Sequence, residues 1–146
     1  FMDEQLEVAL KGGEYKRLFE SQMGKIREAY DLKKVDIEVL YFLSRCQNEN
    51  TPTDVYRRLK LNRGQVSQAI DALGRRKLII AIPDSNDRRY MHYRISETAE
   101  EIVSEIAIAK KELDRQIFEG ISEEELKVYK KITEKIFANI RKMLEE

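Results

Sequence analysis

The chain has 146 residues with 27 basic and 27 acidic side chains, a length that fits one domain or one protomer, and a global charge that points to no class of partner. Its only cysteine, Cys46, excludes an intramolecular disulfide and favours a reducing compartment. No apolar run has the length of a membrane span and no signal peptide opens the chain, so we expect a cytoplasmic protein without a membrane partner.

The first two segments predict helices. Residues 6–30 carry apolar side chains at three- and four-residue steps, which is typical of an amphipathic helix. Gly12 and Gly13 can divide it into a short arm and a main helix, because a glycine inside a helix costs about 1 kcal/mol relative to alanine. Residues 34–46 are apolar around most of the helix circumference, which indicates a buried helix.

Two short helices joined by a tight turn follow. The string TPTD places a threonine N-cap, a proline at the first helical position and a capping-box acid in order, and predicts a helix over residues 52–60. The string NRGQ places an asparagine N-cap three residues before a glutamine and predicts a helix over residues 63–76. Together they form a candidate helix-turn-helix.

The predicted helix over 63–76 has an apolar and a polar face. The inward stripe consists of Val66, Ala69, Ile70 and Leu73. The polar side chains have donors and acceptors that suit base edges and phosphates in a major groove. The candidate DNA-binding residues on this helix are Arg63, Gln65, Ser67, Gln68, Arg75 and Arg76. The alternative is that Gln65 only caps the helix and Gln68 is only solvated.

A hairpin with a polar tip follows the helix-turn-helix. The β-type runs LIIAI and RYMHYRI flank the string PDSND. Arg88 and Arg89 at the tip suit a minor groove, whose negative potential attracts a guanidinium. We expect Asp84 or Asp87 to accept turn amides, one arginine to form an ion pair and the other to face DNA, with Asp87 stabilising the wing. The alternative is a solvated tip with negligible ion-pair energy.

The middle of the chain is basic although the whole is neutral. Residues 53–96 hold ten basic and four acidic side chains, a net charge of +6, so the remainder carries −6. Such a segment can present one face to a polyanion. The alternative is that helices simply carry many solvated charges, and this interpretation fits the acidic ends of the chain better than it fits this segment. Within it, Arg57 and Lys60 are expected to add phosphate contacts to those of the second helix.

The last third predicts two more helices. Ser96 can cap a helix over residues 97–118, and Ser122 with Glu125 forms a capping box for a final helix. Both carry apolar stripes with a spacing near 3.5 residues, suited to helix packing. These stripes must be buried, and a two-fold partner is one solution. The alternative is an intramolecular helix bundle.

Residues with catalytic or ligand-binding potential are sparse. Cys46 has no activating base near it in the sequence, and His92 is the only histidine, so neither indicates a redox, metal or catalytic site. No glycine-rich phosphate loop or nucleophile elbow occurs. We therefore expect no enzyme activity, no metal and no cofactor.

The order of elements and the string VSQAIDALGRRKLIIAIPDSNDRRYMHYRISETA resemble the multiple antibiotic resistance regulator (MarR) family over nearly the whole chain. The string LKKVDIEVLYFL resembles the second helix of the family, DRR its wing signature, and IS and SEEEL its hairpin exit and final helix start. Lys77 and Ala99 stand where the family tends to have glycine. A left-handed conformation at Lys77 would cost about 1 kcal/mol, or a different turn would avoid it.

The resemblance implies a mainly α winged helix-turn-helix with a β-hairpin wing. Its segments would be a dimerisation helix over 2–33, a DNA-binding lobe over 34–96 and dimerisation helices over 97–146. It implies a homodimer that binds a pseudo-palindromic operator in double-stranded DNA and represses transcription. An effector would bind between the dimer helices and the lobe, where Tyr30, Tyr41 and Phe42 could line a pocket or belong to the core. The alternative function is a winged-helix dimer that binds proteins instead of DNA.

Overall fold

The protein is mainly α-helical with one antiparallel hairpin, as predicted. The computed structural model describes residues 13–145. A short 3₁₀ turn at Glu97–Ala99 precedes the sixth helix. The elements in chain order are α1 (Gly13–Gln22), α2 (Gly24–Tyr30), α3 (Lys34–Arg45), α4 (Pro52–Leu59), α5 (Arg63–Arg75), β1 (Ile79–Pro83), β2 (Met91–Ile95), α6 (Glu100–Ile117) and α7 (Glu123–Glu145).

The described residues form two compact units. One spans residues 22–110, and the other combines residues 13–21 with 111–145. In the unit over 22–110, helices α3, α4 and α5 bury apolar side chains that are at most 1% exposed, namely Ile37, Leu40, Val55, Val66 and Leu73. The predicted inward stripe of α5 is therefore confirmed, and burial of such residues supplies most of the folding free energy.

The first helical segment contains a break that was not predicted. Gly13 begins α1 and Gly12 lies outside the described residues, so the predicted division at these two glycines stays a prediction. A further break falls at Met23, between α1 and α2, where Gly24 opens the second helix. Met23 is 0% exposed, so burial of its side chain accompanies the break. Glycine weakens a helix, which favours a break beside Gly24.

The predicted N-terminal caps of α4 and α5 are both present. Thr51 accepts the amide of Asp54 at 3.2 Å while Asp54 accepts the amide of Thr51, also at 3.2 Å. Asn62 accepts the amide of Gln65 at 2.8 Å, and Gln65 accepts the amide of Asn62 at 3.2 Å. Each box satisfies two amide groups that a helix start leaves without partners. The turn between the helices is tight because Lys60 adopts a left-handed conformation, with φ 56°.

The hairpin follows α5 through a left-handed residue. Lys77 has φ 60°, so the predicted strained position is confirmed, and β1 then pairs with β2 from Ile79↔Ile95 to Pro83↔Met91. Ser96 was predicted to cap the next helix, but its side chain forms no capping hydrogen bond. Its hydroxyl donates instead to the carbonyl of Lys77 at 2.6 Å, because the end of the hairpin brings that carbonyl within reach. This bond closes the base of the hairpin.

Candidate nucleic-acid interface

Helix α5 presents a polar face opposite its buried stripe. Arg63, Gln65, Ser67, Gln68 and Arg75 are all exposed, as predicted for a helix that enters a groove. The side-chain oxygen of Gln65 accepts the amide of Asn62, so this residue does cap the helix. Capping occupies only the oxygen of the Gln65 side chain, and its amide nitrogen can still donate to DNA. Ser67 and Gln68 lie one turn further along the same exposed surface.

Arg63 is held at the start of α5 by an aromatic ring from α4. Its guanidinium carbon lies 5.3 Å from the ring centre of Tyr56, within the range of a cation–π contact. One guanidinium nitrogen also donates to the Tyr56 hydroxyl at 3.2 Å. The capped N-terminus of α5 and this arginine therefore lie together at the leading end of the helix. A helix N-terminus and a guanidinium both favour an anion such as phosphate.

Tyr56 also lines a shallow cleft between α4 and α5. The cleft is bordered by Pro52, Thr53, Tyr56, Arg63, Val66, Ser67, Ile70, Asp71 and Tyr93. Its rim thus includes two of the predicted DNA-binding residues, Arg63 and Ser67. The sequence did not indicate Tyr56. Its position seven residues before Arg63, across a turn, is the signal that could have suggested the contact.

The other arginines of the basic segment have different surroundings. Arg57 pairs with Asp54 at 2.9 Å, and Arg58 pairs with Glu49 at 2.8 Å. Exposed pairs of this kind are weak, so a phosphate can replace the carboxylate. Arg75 donates to the carbonyl of Asp71 in its own helix at 3.3 Å.

Arg76 is directed away from the exposed polar face of α5. Its two terminal guanidinium nitrogens donate to the carbonyls of Asp31, at 2.8 Å, and Tyr30, at 2.6 Å. These carbonyls belong to the C-terminal end of α2, where backbone acceptors lack helical partners. The structure therefore does not bring Arg76 together with Arg63 and Gln68. Arg76 joins the end of α5 to the end of α2.

The tip of the hairpin is organised by two aspartates. One carboxylate oxygen of Asp84 accepts the amides of Asn86 and Asp87 at 2.9 and 3.0 Å. Asp87 accepts the amide of Arg89 at 3.1 Å and binds its guanidinium through both oxygens, at 3.2 Å or less. The guanidinium of Arg89 holds the pKa of Asp87 below its usual range. Arg88 is exposed, and its side chain forms no ion pair with the residues that the structure describes.

The tip end of strand β2 is connected to the loop before α4 through His92. One ring nitrogen lies 2.5 Å from the side-chain oxygen of Asn50, and the other lies 2.7 Å from Asp84. The amide of Tyr93 donates to the carbonyl of Asn50 at 2.9 Å. The sequence did not indicate this connection, because Asn50 and His92 lie 42 positions apart.

The three aromatic residues considered for an effector site are half-buried. The hydroxyl of Tyr30 donates to Glu105, and this bond raises the pKa of Tyr30 to about 12. Tyr41 accepts a hydrogen bond from Arg45 at 3.0 Å and stacks against its guanidinium. Cys46 donates to the carbonyl of Leu43, and burial raises the pKa of its thiol, which disfavours the reactive thiolate.

Two further findings concern metal ions and membranes. Among residues 13–145, no group of three or more histidine, cysteine, aspartate or glutamate side chains could hold a metal ion. No helix within the same range combines the length and the hydropathy needed to cross a membrane.

Comparison with known proteins gives a domain model and several solved structures that are similar to this chain. Residues 32–99 match the model of the winged helix DNA-binding domain. The transcriptional regulator PA3341 matches with a TM-score of 0.74 and 18% identity, over 88% of this chain and 94% of that chain. A MarR-family regulator from Silicibacter pomeroyi matches with a TM-score of 0.68 and 16% identity, over 84% and 82%.

A third structure contains nucleic acid. It is FabT of Streptococcus pneumoniae in complex with DNA, with a TM-score of 0.65 and 19% identity, over 97% of this chain and 99% of that chain. At these identities the likeness is one of fold, and the predicted resemblance is confirmed at that level. Residues 32–99 match the winged helix DNA-binding domain model, and the chain is similar in fold to MarR-family transcriptional regulators.

Proposed function

We propose that this protein is a homodimeric transcriptional regulator that binds a specific double-stranded DNA operator. The observation that carries the proposal is the exposed polar face of α5, which begins with Arg63 held against Tyr56. Arg63, Gln65, Ser67 and Gln68 would contact bases and phosphates in the major groove, because their donors and acceptors match the edges of the bases. The DNA complex of FabT, which has the same fold, supports this arrangement.

The wing would contact the DNA beside the major groove. Arg88 has an exposed cationic side chain at the hairpin tip, whereas Arg89 is bound by Asp87. A free guanidinium suits the narrow minor groove, where the negative potential is strongest. We assign the direct DNA contact to Arg88, and the shape of the tip to Arg89 and Asp87. Arg75 and the exposed ion pairs of α4 would supply phosphate contacts, and Arg76 would have a lesser part because both its terminal nitrogens are occupied.

Dimerisation would use the helices outside the DNA-binding lobe. Helix α7 exposes an apolar stripe, with Ile132, Ile136 and Ile140 each 45% or more exposed. Tyr129 and Met143 extend the stripe at three-residue steps. Such a stripe on an otherwise charged helix is suited to a second helix, and a two-fold copy is the economical partner. Residues 2–33 and 97–146 remain the proposed dimerisation segments, with residues 2–12 outside the described range.

The operator would have two half-sites related by the symmetry of the dimer. Two reading helices in successive major grooves lie about 34 Å apart, one turn of B-DNA. Repression would follow if the occupied operator overlaps the start of transcription. The effector site stays a prediction.

The experiment is a competition binding assay with the DNA that flanks the gene of this protein. We expect a labelled duplex from that region to bind at least 1,000-fold more tightly than a scrambled duplex of equal composition, since specific sites typically exceed non-specific DNA by about 10³ or more. The double variant Arg63→Ala/Gln68→Ala should lose this preference but keep its fold. Equal affinity of the native protein for both duplexes would contradict sequence-specific binding and favour a protein-interaction module.

A further inference from the structure

The wing is held to the helix-turn-helix by a continuous series of polar contacts. His92 contacts the side-chain oxygen of Asn50 at 2.5 Å and Asp84 at 2.7 Å. The second oxygen of Asp84 accepts the amides of Asn86 and Asp87 at the tip. The first residue of the series, Asn50, immediately precedes the N-cap of α4, Thr51. The start of the helix-turn-helix is thus linked to the loop that carries Arg88.

We propose that His92 is a positioning residue for DNA binding, which fixes the wing relative to the helix-turn-helix and so places Arg88 for its groove. This inference rests on the proposed function and goes beyond it, since His92 itself lies on strand β2 and contacts no DNA in the proposal. We name the series Asn50, His92 and Asp84 the wing clamp. The wing clamp affects DNA binding by fixing the direction of the wing, and thereby the position of Arg88.

The wing benefits from such a clamp because its two strands differ in burial. Each strand has only five residues; in β1 every residue after Ile79 is exposed, whereas in β2 all but Arg94 are half-buried. A two-stranded ribbon is marginally stable by itself in water. Polar contacts therefore add to the partial packing of β2 in fixing the direction of the ribbon. The bond from the Tyr93 amide to the Asn50 carbonyl, at 2.9 Å, anchors the strand at one point, and the clamp adds a second link that reaches the tip.

Histidine is well suited to this position. Its two ring nitrogens point in different directions, so one rigid side chain can donate to Asp84 through one nitrogen while the other nitrogen faces the side-chain amide of Asn50. The ring is 30% exposed and its partner Asp84 is 29% exposed, so the contacts are partly shielded from water. The hydrogen bond from His92 is also the largest cause that lowers the pKa of Asp84, which keeps this carboxylate ionised to accept the tip amides.

The clamp can be tested without DNA by hydrogen exchange of the backbone amides, measured by NMR. In His92→Ala we expect the amides of Asn86, Asp87 and Tyr93 to exchange at least tenfold faster than in the native protein. The amides of α5 should be unchanged, which separates loss of the clamp from loss of the fold. His92→Gln retains one side-chain donor and should restore part of the protection. Unchanged exchange at all three amides in His92→Ala would overturn the proposal.

Its role in DNA binding can be tested by a double-mutant cycle. The probe is a duplex selected from a random-sequence pool by the native protein, and the variants are His92→Ala, Arg88→Ala and the combination of the two. If His92 acts by placing Arg88, each single variant should bind about tenfold more weakly, and the double variant should bind no more weakly than Arg88→Ala alone. Lys127→Ala, which removes a charge from the polar side of α7, is the matched control and should keep native affinity.

The outcomes distinguish this inference from the proposed function. Multiplying losses in the double variant, or native affinity in His92→Ala, would overturn the role of His92 while leaving DNA binding intact. If the native protein selects no duplex from the pool, the proposed function fails, and the role of His92 in DNA binding fails with it. The exchange experiment then still decides whether the clamp holds the wing.

Discussion

Arg88 and Arg89 are neighbours in the chain, but their side chains have different surroundings. Asp87 binds the guanidinium of Arg89 through both oxygens, and the pair raises the pKa of Arg89. Arg88 has no such partner among the residues that the structure describes. The two arginines therefore form a matched pair, equal in charge and loop position. Arg88 can meet a phosphate or groove directly, whereas Arg89 would first have to give up its bidentate contact with Asp87.

This difference predicts unequal effects on DNA affinity. Replacing Arg88 with alanine should weaken binding about tenfold, because a charged hydrogen bond to DNA is lost. Replacing Arg89 with alanine should lower the DNA affinity less, because no direct DNA contact is lost, and should instead loosen the hairpin tip. Fluorescence anisotropy with the same duplex measures both, and Lys127→Ala controls for the change in net charge. A larger loss for Arg89→Ala than for Arg88→Ala would contradict the assignment.

Lys77 has a left-handed backbone, with φ 60°, just after the reading helix. A side chain with a Cβ is strained there by about 1–2 kcal/mol, whereas glycine is not. Lys77→Gly should therefore raise the free energy of unfolding by roughly 1 kcal/mol, after the entropy that glycine gains in the unfolded chain is allowed for. Urea denaturation measures the change. Lys77→Ala keeps the Cβ and should give no gain, so equal stabilisation by both variants would exclude relief of strain.

Asp84 makes the wing sensitive to acid. Its pKa is lowered from 3.8, first by the hydrogen bond from His92 and then by the amides of Asn86 and Asp87. A lowered pKa means that the ionised form is favoured in the folded state. Its contribution is fully present above pH 3.8 and is lost as the pH falls through the lower folded value.

Titration of the Asp84 carboxyl carbon by NMR should therefore give a midpoint below 3.8. The protection factors of the Asn86 and Asp87 amides, which compare each exchange rate with that of an unstructured peptide at the same pH, should fall over the same range of pH. In His92→Ala the midpoint should move upward, because the largest cause of the shift is gone. A native midpoint at or above the ordinary value would show that the carboxylate does not hold the tip.

At the scale of elements, α7 separates into two sides. Ile132, Ile136 and Ile140 stay exposed on one side, and Ala138 lies on the other with the charged residues. A glutamate at position 136 would have to be buried without a partner in any helix-to-helix interface, which is costly. Ile136→Glu should therefore raise the dimer dissociation constant at least 100-fold, about 2.7 kcal/mol.

Light scattering coupled to size-exclusion chromatography measures the mass of each variant. Ala138→Glu adds the same charge to the same helix on its polar side, so it should remain a dimer. A native protein of monomeric mass, or equal dissociation of both variants, would exclude this stripe as the interface.

The elements that the sequence predicted correctly are those specified by nearby residues. The boxes Thr51 with Asp54 and Asn62 with Gln65 each join positions three apart, so their spacing reveals them. The break at Met23 was not predicted, because the spacing of apolar residues continues through it and a single glycine at position 24 does not by itself show where a helix is interrupted. Position 99 does not require glycine, because the backbone of Ala99 is not left-handed.

The candidate site was predictable only in part. The polar face of α5 follows from helical periodicity, and the ion pair at the tip follows from adjacent charges. The contacts of His92 with Asn50 and of Arg76 with Tyr30 join residues more than 40 positions apart. No local pattern encodes such contacts, because they depend on how the hairpin and α2 pack in three dimensions. The contact of Tyr56 with Arg63 is intermediate between these local and distant contacts, because the two residues are seven positions apart across the turn between α4 and α5.

At the scale of the whole molecule, neutrality and polyanion binding are compatible because the charge is unevenly distributed. Residues 53–96 carry a net charge of +6 in a chain whose total is zero. The acidic remainder would repel DNA, which would favour binding through α5 and the wing. In the proposed dimer this surface would be present twice, and the symmetry would set the spacing of the two copies of α5.

The salt dependence of DNA affinity tests this account most directly. Anisotropy titrations of the native protein with its selected duplex, from low to moderate salt, give the slope of log K against log salt. Each phosphate neutralised contributes about −0.9, so two phosphates on each of two protomers predict a slope of roughly −3.6 or steeper. A slope near zero, with affinity unchanged across the range, would contradict the claim that this basic face binds duplex DNA.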